Sequence, residues 1–148
     1  MNERERVTMI CQATMDDLDE IYHLICLLEN KKMNKEHFKK CYQEGLENSD
    51  VLFLVEKNEK IEGFISFYIH HYLHHHHDTG EIVELVVLPD QRNKKIGHHL
   101  IEAIIQYAKS RNLEQIDLST STYRHDAHRF YENHHFEKSH YNYTLDIK

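Results

Sequence analysis

A single proline and four glycines are spread over the 148 residues of this chain. So few breakers leave no material for a linker, and no repeat or change of composition marks a boundary. Residues 1–148 are therefore expected to form one domain. Cysteine is equally scarce: Cys11, Cys26 and Cys41 are odd in number, widely spaced and without a Cys-x-x-Cys pair. They read as reduced packing residues rather than a disulfide framework. No apolar run approaches the ~20 residues that span a bilayer. The opening MNERERVTMI is charged and lacks the apolar core of a signal peptide, so a cytoplasmic protein with no membrane partner is expected. Positive charge is short as well. Lys and Arg total 18 against 25 Asp and Glu, a formal charge of −7, which argues against a nucleic-acid partner.

What is present begins with enough apolar residues for a core, 40% of the chain. One segment, EIVELVVLPDQRNKKIGHHLIEAIIQYAKSRN (81–112), has a direct physical meaning. A β-branched, apolar run from Ile82 to Leu88 stops at Pro89. A cationic loop from Gln91 to Lys95 follows, and a helix opens at Ile96-Gly97. Strand, basic turn and helix N-terminus in that order make an anion site, where free backbone N–H groups and the positive end of the helix dipole converge. The expected main-chain donors run through Arg92, Asn93, Lys94, Lys95, Ile96, Gly97 and His98. Arg92, Lys94 and Lys95 add charge that can pair with phosphate oxygens. Gly97 has no side chain to hold a ligand away. A pyrophosphate-bearing ligand is expected here, yet neither a Walker A loop nor a Gly-x-Gly-x-x-Gly fingerprint is present.

The periodicity of the chain predicts an alternation of strands and helices. Residues 7–13 form a first strand. Thr14 caps a helix with Asp17 three residues on, and Leu18, Ile21, Tyr22, Ile25 and Leu28 share its inner face. Asn34 caps a second helix with a stripe of Phe38, Cys41, Tyr42, Gly45 and Leu46. Residues 51–56 and 61–69 make a hairpin around Lys57 to Lys60. Glu81 to Leu88 is the fourth strand, and a helix runs from about Lys95 to Arg111. Residues 115–120 are a fifth strand and Arg124 to Asn133 a short helix. Phe136 to Ile147, alternating Tyr141, Tyr143, Leu145 and Ile147, is a last strand.

The order β-α-α-β-β-β-α-β-α-β resembles that of the GNAT N-acetyltransferase superfamily. The loop Gln91-Arg92-Asn93-Lys94-Lys95-Ile96-Gly97 resembles its Arg/Gln-x-x-Gly-x-Gly motif, with Lys95 in place of the first glycine. Further segments look like the aminoalkylphosphonate N-acetyltransferase branch: LHH (73–75), GEIVELVV (80–87), LST (118–120), RHDAHRFY (124–131) and SHYNYTL (139–145), with ICLL (25–28) and Phe38. The resemblance implies an α/β (α+β) GNAT fold, a mixed, mostly antiparallel twisted sheet with helices on both faces. It also implies transfer of the acetyl group of acetyl-CoA to a small primary amine in a ternary complex.

That chemistry makes three demands. The pantetheine arm would lie along the fourth strand, pairing with main chain at Leu85, Val86 and Val87. A base must remove a proton from the alkylammonium. Glu84 is the candidate, because on a regular strand it shares parity with Ile82, Val86 and Leu88 and so enters an apolar face. Glu81, of opposite parity, would stand at the strand entrance, or bind substrate or metal. The departing thiolate needs an acid, and the resemblance puts Tyr131 beside the sulfur. The family's usual Asn and Gly stand here as Arg124 and His135.

A phosphonate requires charge-assisted hydrogen bonds. Arg124, Ser119, Thr120, His74 and His75 are the candidates, with Arg129 either contributing or solvated. Fifteen histidines, four of them consecutive at 74–77, raise the possibility of a divalent metal ion. On a strand, His74 and His76 would face one way and His75 and His77 the other, but the spacing fits no structural zinc motif. Tyr141 and Tyr143 could line a homodimer contact or fill a core. Two alternatives stand beside the phosphonate reading: a GNAT enzyme for another small amine (polyamine, amino sugar phosphate or arylalkylamine), and a non-catalytic, histidine-rich metal-binding protein.

Overall fold

The computed structural model describes residues 9–122 and 124–148, without the side chains of Asn93 and Lys94. The start of the expected first strand, Val7 and Thr8, lies outside the described residues. What is described of it, β1, is Met9–Gln12. Thr14 then turns the chain into helix as its local chemistry predicts. Its N–H donates to the Asp17 carboxylate at 2.9 Å, and its hydroxyl accepts from the Asp16 N–H. A single 3₁₀ turn, Met15–Asp17, leads into α1, Leu18–Glu29. The Asn34 side chain caps α2, Lys35–Glu47, by accepting from the His37 N–H at 2.9 Å. In the α2 stripe Tyr42 and Gly45 are buried, whereas Cys41 is exposed. β2, Val51–Lys57, and β3, Ile61–His70, form the hairpin. β4 is Thr79–Val87, starting two residues before the expected Glu81. A 3₁₀ turn, Pro89–Lys94, precedes α3, Ile96–Ser110, and β5 is Ile116–Leu118.

The sheet order is β1-β2-β3-β4-β5, with the first three pairings antiparallel. β5 joins β4 at its beginning, where the Gly80 N–H donates to Gln115 O at 3.0 Å and the Glu114 N–H to Asp78 O at 2.8 Å. The two strands start at the same end, so the sheet is mixed, as the right-handed crossover through α3 requires. Its two faces bury different helices. Phe53, Val55, Phe64 and Val86 pack with Leu18, Ile21, Leu24 and Ile25 of α1 and Tyr42 of α2. Alternate residues, among them Leu54, Ile65, Phe67 and Ile82, are buried on the other face, where α3 contributes Ile96, Leu100, Ile101 and Ile104. At Gly63 a Cβ would stand 2.6 Å from Ile96 Cγ2 and 3.1 Å from Leu100 Cδ1. That glycine lets the first turn of α3 lie directly on the sheet.

One local irregularity overturns the parity argument made for the two glutamates. Ser66 pairs with Glu84 and Phe67 with Ile82, so Val83 is an extra, exposed residue, a β-bulge. Beyond it the alternation resets. Glu84, opposite Ser66, and Glu81, opposite Tyr68, lie on the same face, that of Phe64 and Val86, while Ile82 and Leu85 lie on the other.

The chain divides into two compact units, one ending at Asp117 and one from Leu118 to Lys148. The second holds α4, His125–Asn133, with Arg124 at its N-cap and His135 turning the chain in the left-handed region at φ 70°. The expected last strand does not form: residues 136–148 carry no strand, and Tyr141, Tyr143, Leu145 and Ile147 are almost fully exposed. Alternation specifies which residues would share a face. It does not supply the neighbouring strand whose hydrogen bonds make a ladder.

Candidate active site

The segment expected to seat an anion has the strand, turn and helix in the order the chain suggests. Leu88 is held to β3 by donating its N–H to Glu62 O at 2.8 Å, and the 3₁₀ turn then carries the chain to Lys95. Lys95 adopts φ 62° and ψ 22°, a left-handed conformation that glycine favours. This is the position where the superfamily motif has its first glycine, so lysine here keeps the glycine's backbone shape. The N-cap residue of α3, Lys95, makes no side-chain hydrogen bond to the helix's first turn. Ile96 is buried, whereas Arg92, Lys95 and His98 are exposed. The turn is anchored from below: His99 Nδ1 lies 3.0 Å from Oε1 of Glu56, a buried carboxylate on β2.

Next to this seat, β5 is three residues long and β4 nine. Towards the end of β4, Leu85 and Val87 are half-buried and Val86 is part of the core.

On the α1 and α2 face of the sheet a row of polar side chains emerges from the core. The Ser66 hydroxyl donates to the Glu84 carboxylate and accepts the Glu84 N–H at 2.9 Å. Burial pushes the Glu84 carboxyl above the ordinary carboxylate range; the Ser66 hydroxyl opposes that, and the charges of Glu29 and Glu81 add to it. Tyr68 stands between, its phenol pushed up to about 12 by burial and then by Glu84, Cys41 and Glu81. His70 Nε2 lies 2.8 Å from Glu81 Oε1. A carboxyl with raised proton affinity, fixed by a hydroxyl and half open to solvent, can accept a proton from an amine. The sequence reading missed Ser66, Tyr68 and His70. Their signal was the alternation in ISFYIH (65–70), polar on the face that carries Glu84.

The histidine run is a turn rather than a strand, so its members do not alternate between faces. His71 bridges Asp50 and Asp78 at 2.7 and 2.8 Å, and His75 Nδ1 lies 2.5 Å from Glu114. Glu114 also accepts the backbone N–H groups of His76 and His77, both at 3.1 Å. These imidazoles tie the β3–β4 connection to the starts of β2 and β5. Among the described residues no group of three or more His, Cys, Asp or Glu side chains is arranged to hold a metal ion. The described residues do not assemble a site for the divalent ion that the histidines suggested.

In the second unit, Ser119 and Thr120 are exposed, following β5 instead of belonging to it. Tyr131 is half-buried between Phe130 and Phe136, with ring centroids at 5.6 and 6.0 Å. Burial raises its phenol and the Arg124 charge partly offsets that, so it is a protonated donor at neutral pH. Arg129 pairs with Asp126 on the solvent side of α4, which removes it from the candidate ligands.

Residues 13–136 match the acetyltransferase (GNAT) family, and the chain belongs to it. It is an acyltransferase by that membership, and acetyl-CoA is the family's cosubstrate. The chain is similar to the aminoalkylphosphonate N-acetyltransferase of Salmonella typhimurium, 36% identical over 148 residues that cover 97% of this chain and 96% of the relative. Among solved structures, a transcriptional regulator from Bacillus halodurans matches with a TM-score of 0.87 at 25% identity, over 95% of this chain and 100% of that one. A putative acetyltransferase from Agrobacterium tumefaciens matches with a TM-score of 0.83 at 18% identity, over 93% and 99%, and shows the fold alone.

Proposed function

We propose that this protein moves the acetyl group of acetyl-CoA to the primary amine of a small aminoalkylphosphonate, by direct attack in a ternary complex. The observation that carries the chemistry is Glu84: a carboxyl with raised proton affinity, fixed by Ser66 and half open to solvent. The substrate class rests on the 36% identity, over nearly the whole chain, with an enzyme of that activity. In this reading residues 1–148 act as one catalytic domain, in the cytoplasm.

Glu84, directly or through one water, takes the ammonium proton so that the nitrogen lone pair can attack the thioester carbonyl. Main-chain groups of Leu85 and Val87 hold the pantetheine arm, and the Arg92-to-His98 segment holds the pyrophosphate. As the tetrahedral intermediate collapses, the carbon–sulfur bond breaks and Tyr131 donates its phenolic proton to the thiolate. Arg124, Ser119, Thr120, His74 and His75 are the donors proposed for the phosphonate.

A second reading, an acetyltransferase for another small amine, has one observation in its favour. The face around Glu84 carries Glu29 and Glu81 as well, which suits a cationic substrate without a phosphonate. The test is release of coenzyme A thiol from acetyl-CoA with 2-aminoethylphosphonate, aminomethylphosphonate, spermidine or glucosamine 6-phosphate. The first reading expects turnover with the phosphonates and a kcat lowered roughly 10²–10⁴-fold in Glu84→Gln. Turnover confined to spermidine or the amino sugar establishes the second. Metal binding with no turnover of any amine would overturn both.

A further inference from the structure

Glu81 and Glu84 share a face but have different partners. Glu84 is held by a hydroxyl, deep in the row; Glu81 is held by His70, at the open end. A carboxylate only accepts, so a 2.8 Å contact makes His70 Nε2 the donor and defines its tautomer. The imidazole is itself fixed. It is the last residue of β3, and it stacks on Tyr72 with centroids 5.1 Å apart and planes 24° apart. Tyr72 in turn lies 5.3 Å from the His74 ring. His70 and Glu81 are about one-third exposed at their side chains, 30% and 34%, so the pair meets solvent as a substrate would. The imidazole meets Oε1 of Glu81, and the charge of that carboxylate reaches Glu84, where it helps raise the carboxyl.

We propose that His70 is a positioning residue for the acetyl-transfer reaction: it holds Glu81 so that one carboxylate oxygen binds the substrate ammonium beside Glu84, which takes the proton. The proposal rests on the acetyltransferase reading given above. It divides the work between two carboxylates by their partners, one binding and one exchanging the proton. Among the described residues, the Glu81 charge acts on Tyr68 of β3 and on Glu84, and the same two groups feel Cys41 from α2 and Glu29 from α1 respectively. None of them offers an N–H donor to Glu81 as His70 does. Losing His70 frees Glu81 to rotate and weakens amine binding while Glu84 keeps its chemistry.

The experiment compares His70→Ala, His70→Gln, Glu81→Gln and Glu84→Gln with 2-aminoethylphosphonate as the amine. The readouts are amine KM, acetyl-CoA KM and kcat across pH, with calorimetric binding of the amine to the Glu84→Gln protein. His70→Ala is expected to raise amine KM about tenfold, with acetyl-CoA KM unchanged and the acidic limb of kcat in place. His70→Gln, whose amide N–H can reach Glu81, is expected to recover most of that loss and guards against a folding defect. Adding His70→Ala to Glu84→Gln is expected to weaken calorimetric binding by the same tenfold. Equal effects on both KM values, no effect, or loss of the acidic limb in Glu81→Gln but not in Glu84→Gln would overturn the assignment. Amine binding that depends on His70 without turnover in the wild type would sink the acetyltransferase reading and leave the seat standing. Turnover that depends on Glu84 with His70 silent would do the reverse.

Discussion

Ser66 and Glu84 hold each other in both directions across the β3–β4 ladder, the serine hydroxyl donating to the carboxylate and accepting the N–H of the same residue. The carboxyl is thereby fixed in orientation as well as depth, and the serine bond is what restrains a proton affinity that burial drives upward. Ser66→Ala removes that restraint. A hydrogen bond to a charged group contributes roughly 1.5–3 kcal/mol, about one to two pH units. The acidic limb of kcat/KM is expected to move to higher pH by that order, with the plateau regained above it. A profile identical to wild type would show that Glu84 is not the titrating group.

Tyr131→Phe tests the other end of the reaction. The phenol is half-buried between two phenylalanines and its proton is held tightly, so Phe fills the same space and removes only the donor. Expected is a kcat lowered roughly 10²-fold or more at neutral pH, with acetyl-CoA KM little changed, because a group that acts on the leaving thiolate serves the transition state. Full kcat across the pH range would remove Tyr131 from the mechanism.

Local signals in the chain carried the fold well and the site only in part. The Thr14–Asp17 box, the Asn34 cap and the hairpin are decided within a few residues, and each stands where its residues place it. The Val83 bulge is decided by which residue of β3 faces which of β4, and no pattern within β4 announces it. Two glutamates read as facing apart therefore face together. The histidine run fails for a related reason: its partners Asp50 and Glu114 are far away in sequence, and local alternation cannot register them. The tail fails differently. Tyr141, Tyr143, Leu145 and Ile147 have a strand's pattern without a strand's neighbour.

Lys95 holds a conformation that costs a side-chain-bearing residue about 1–2 kcal/mol, and its φ of 62° is set by the turn into α3. Lys95→Gly relieves that cost but adds freedom to the unfolded chain, worth up to about 1 kcal/mol. The net expectation is a small rise in thermal midpoint. If the proposed seat holds the pyrophosphate, acetyl-CoA KM is expected to rise severalfold and to lose part of its dependence on ionic strength, because one cation of that seat is gone. A fall in the midpoint would show that the lysine side chain stabilises the turn by contacts that outweigh its backbone strain.

His71 links the start of β2 to the β3–β4 connection by donating from both ring nitrogens, Nε2 to Asp50 and Nδ1 to Asp78. Two donors require the charged imidazolium, and these two hydrogen bonds hold its pKa above the ordinary value of 6.5. The folded-state value is raised above the unfolded one, so the clasp's contribution is fully present below about pH 6.5 and is lost as pH climbs through the folded value. Exposure of the pair to solvent keeps the effect modest. Denaturant unfolding of wild type and His71→Gln should therefore differ most near pH 5.5 and converge in the alkaline range. A difference that is constant with pH would mean that His71 stabilises the connection by packing, with its two aspartates as bystanders.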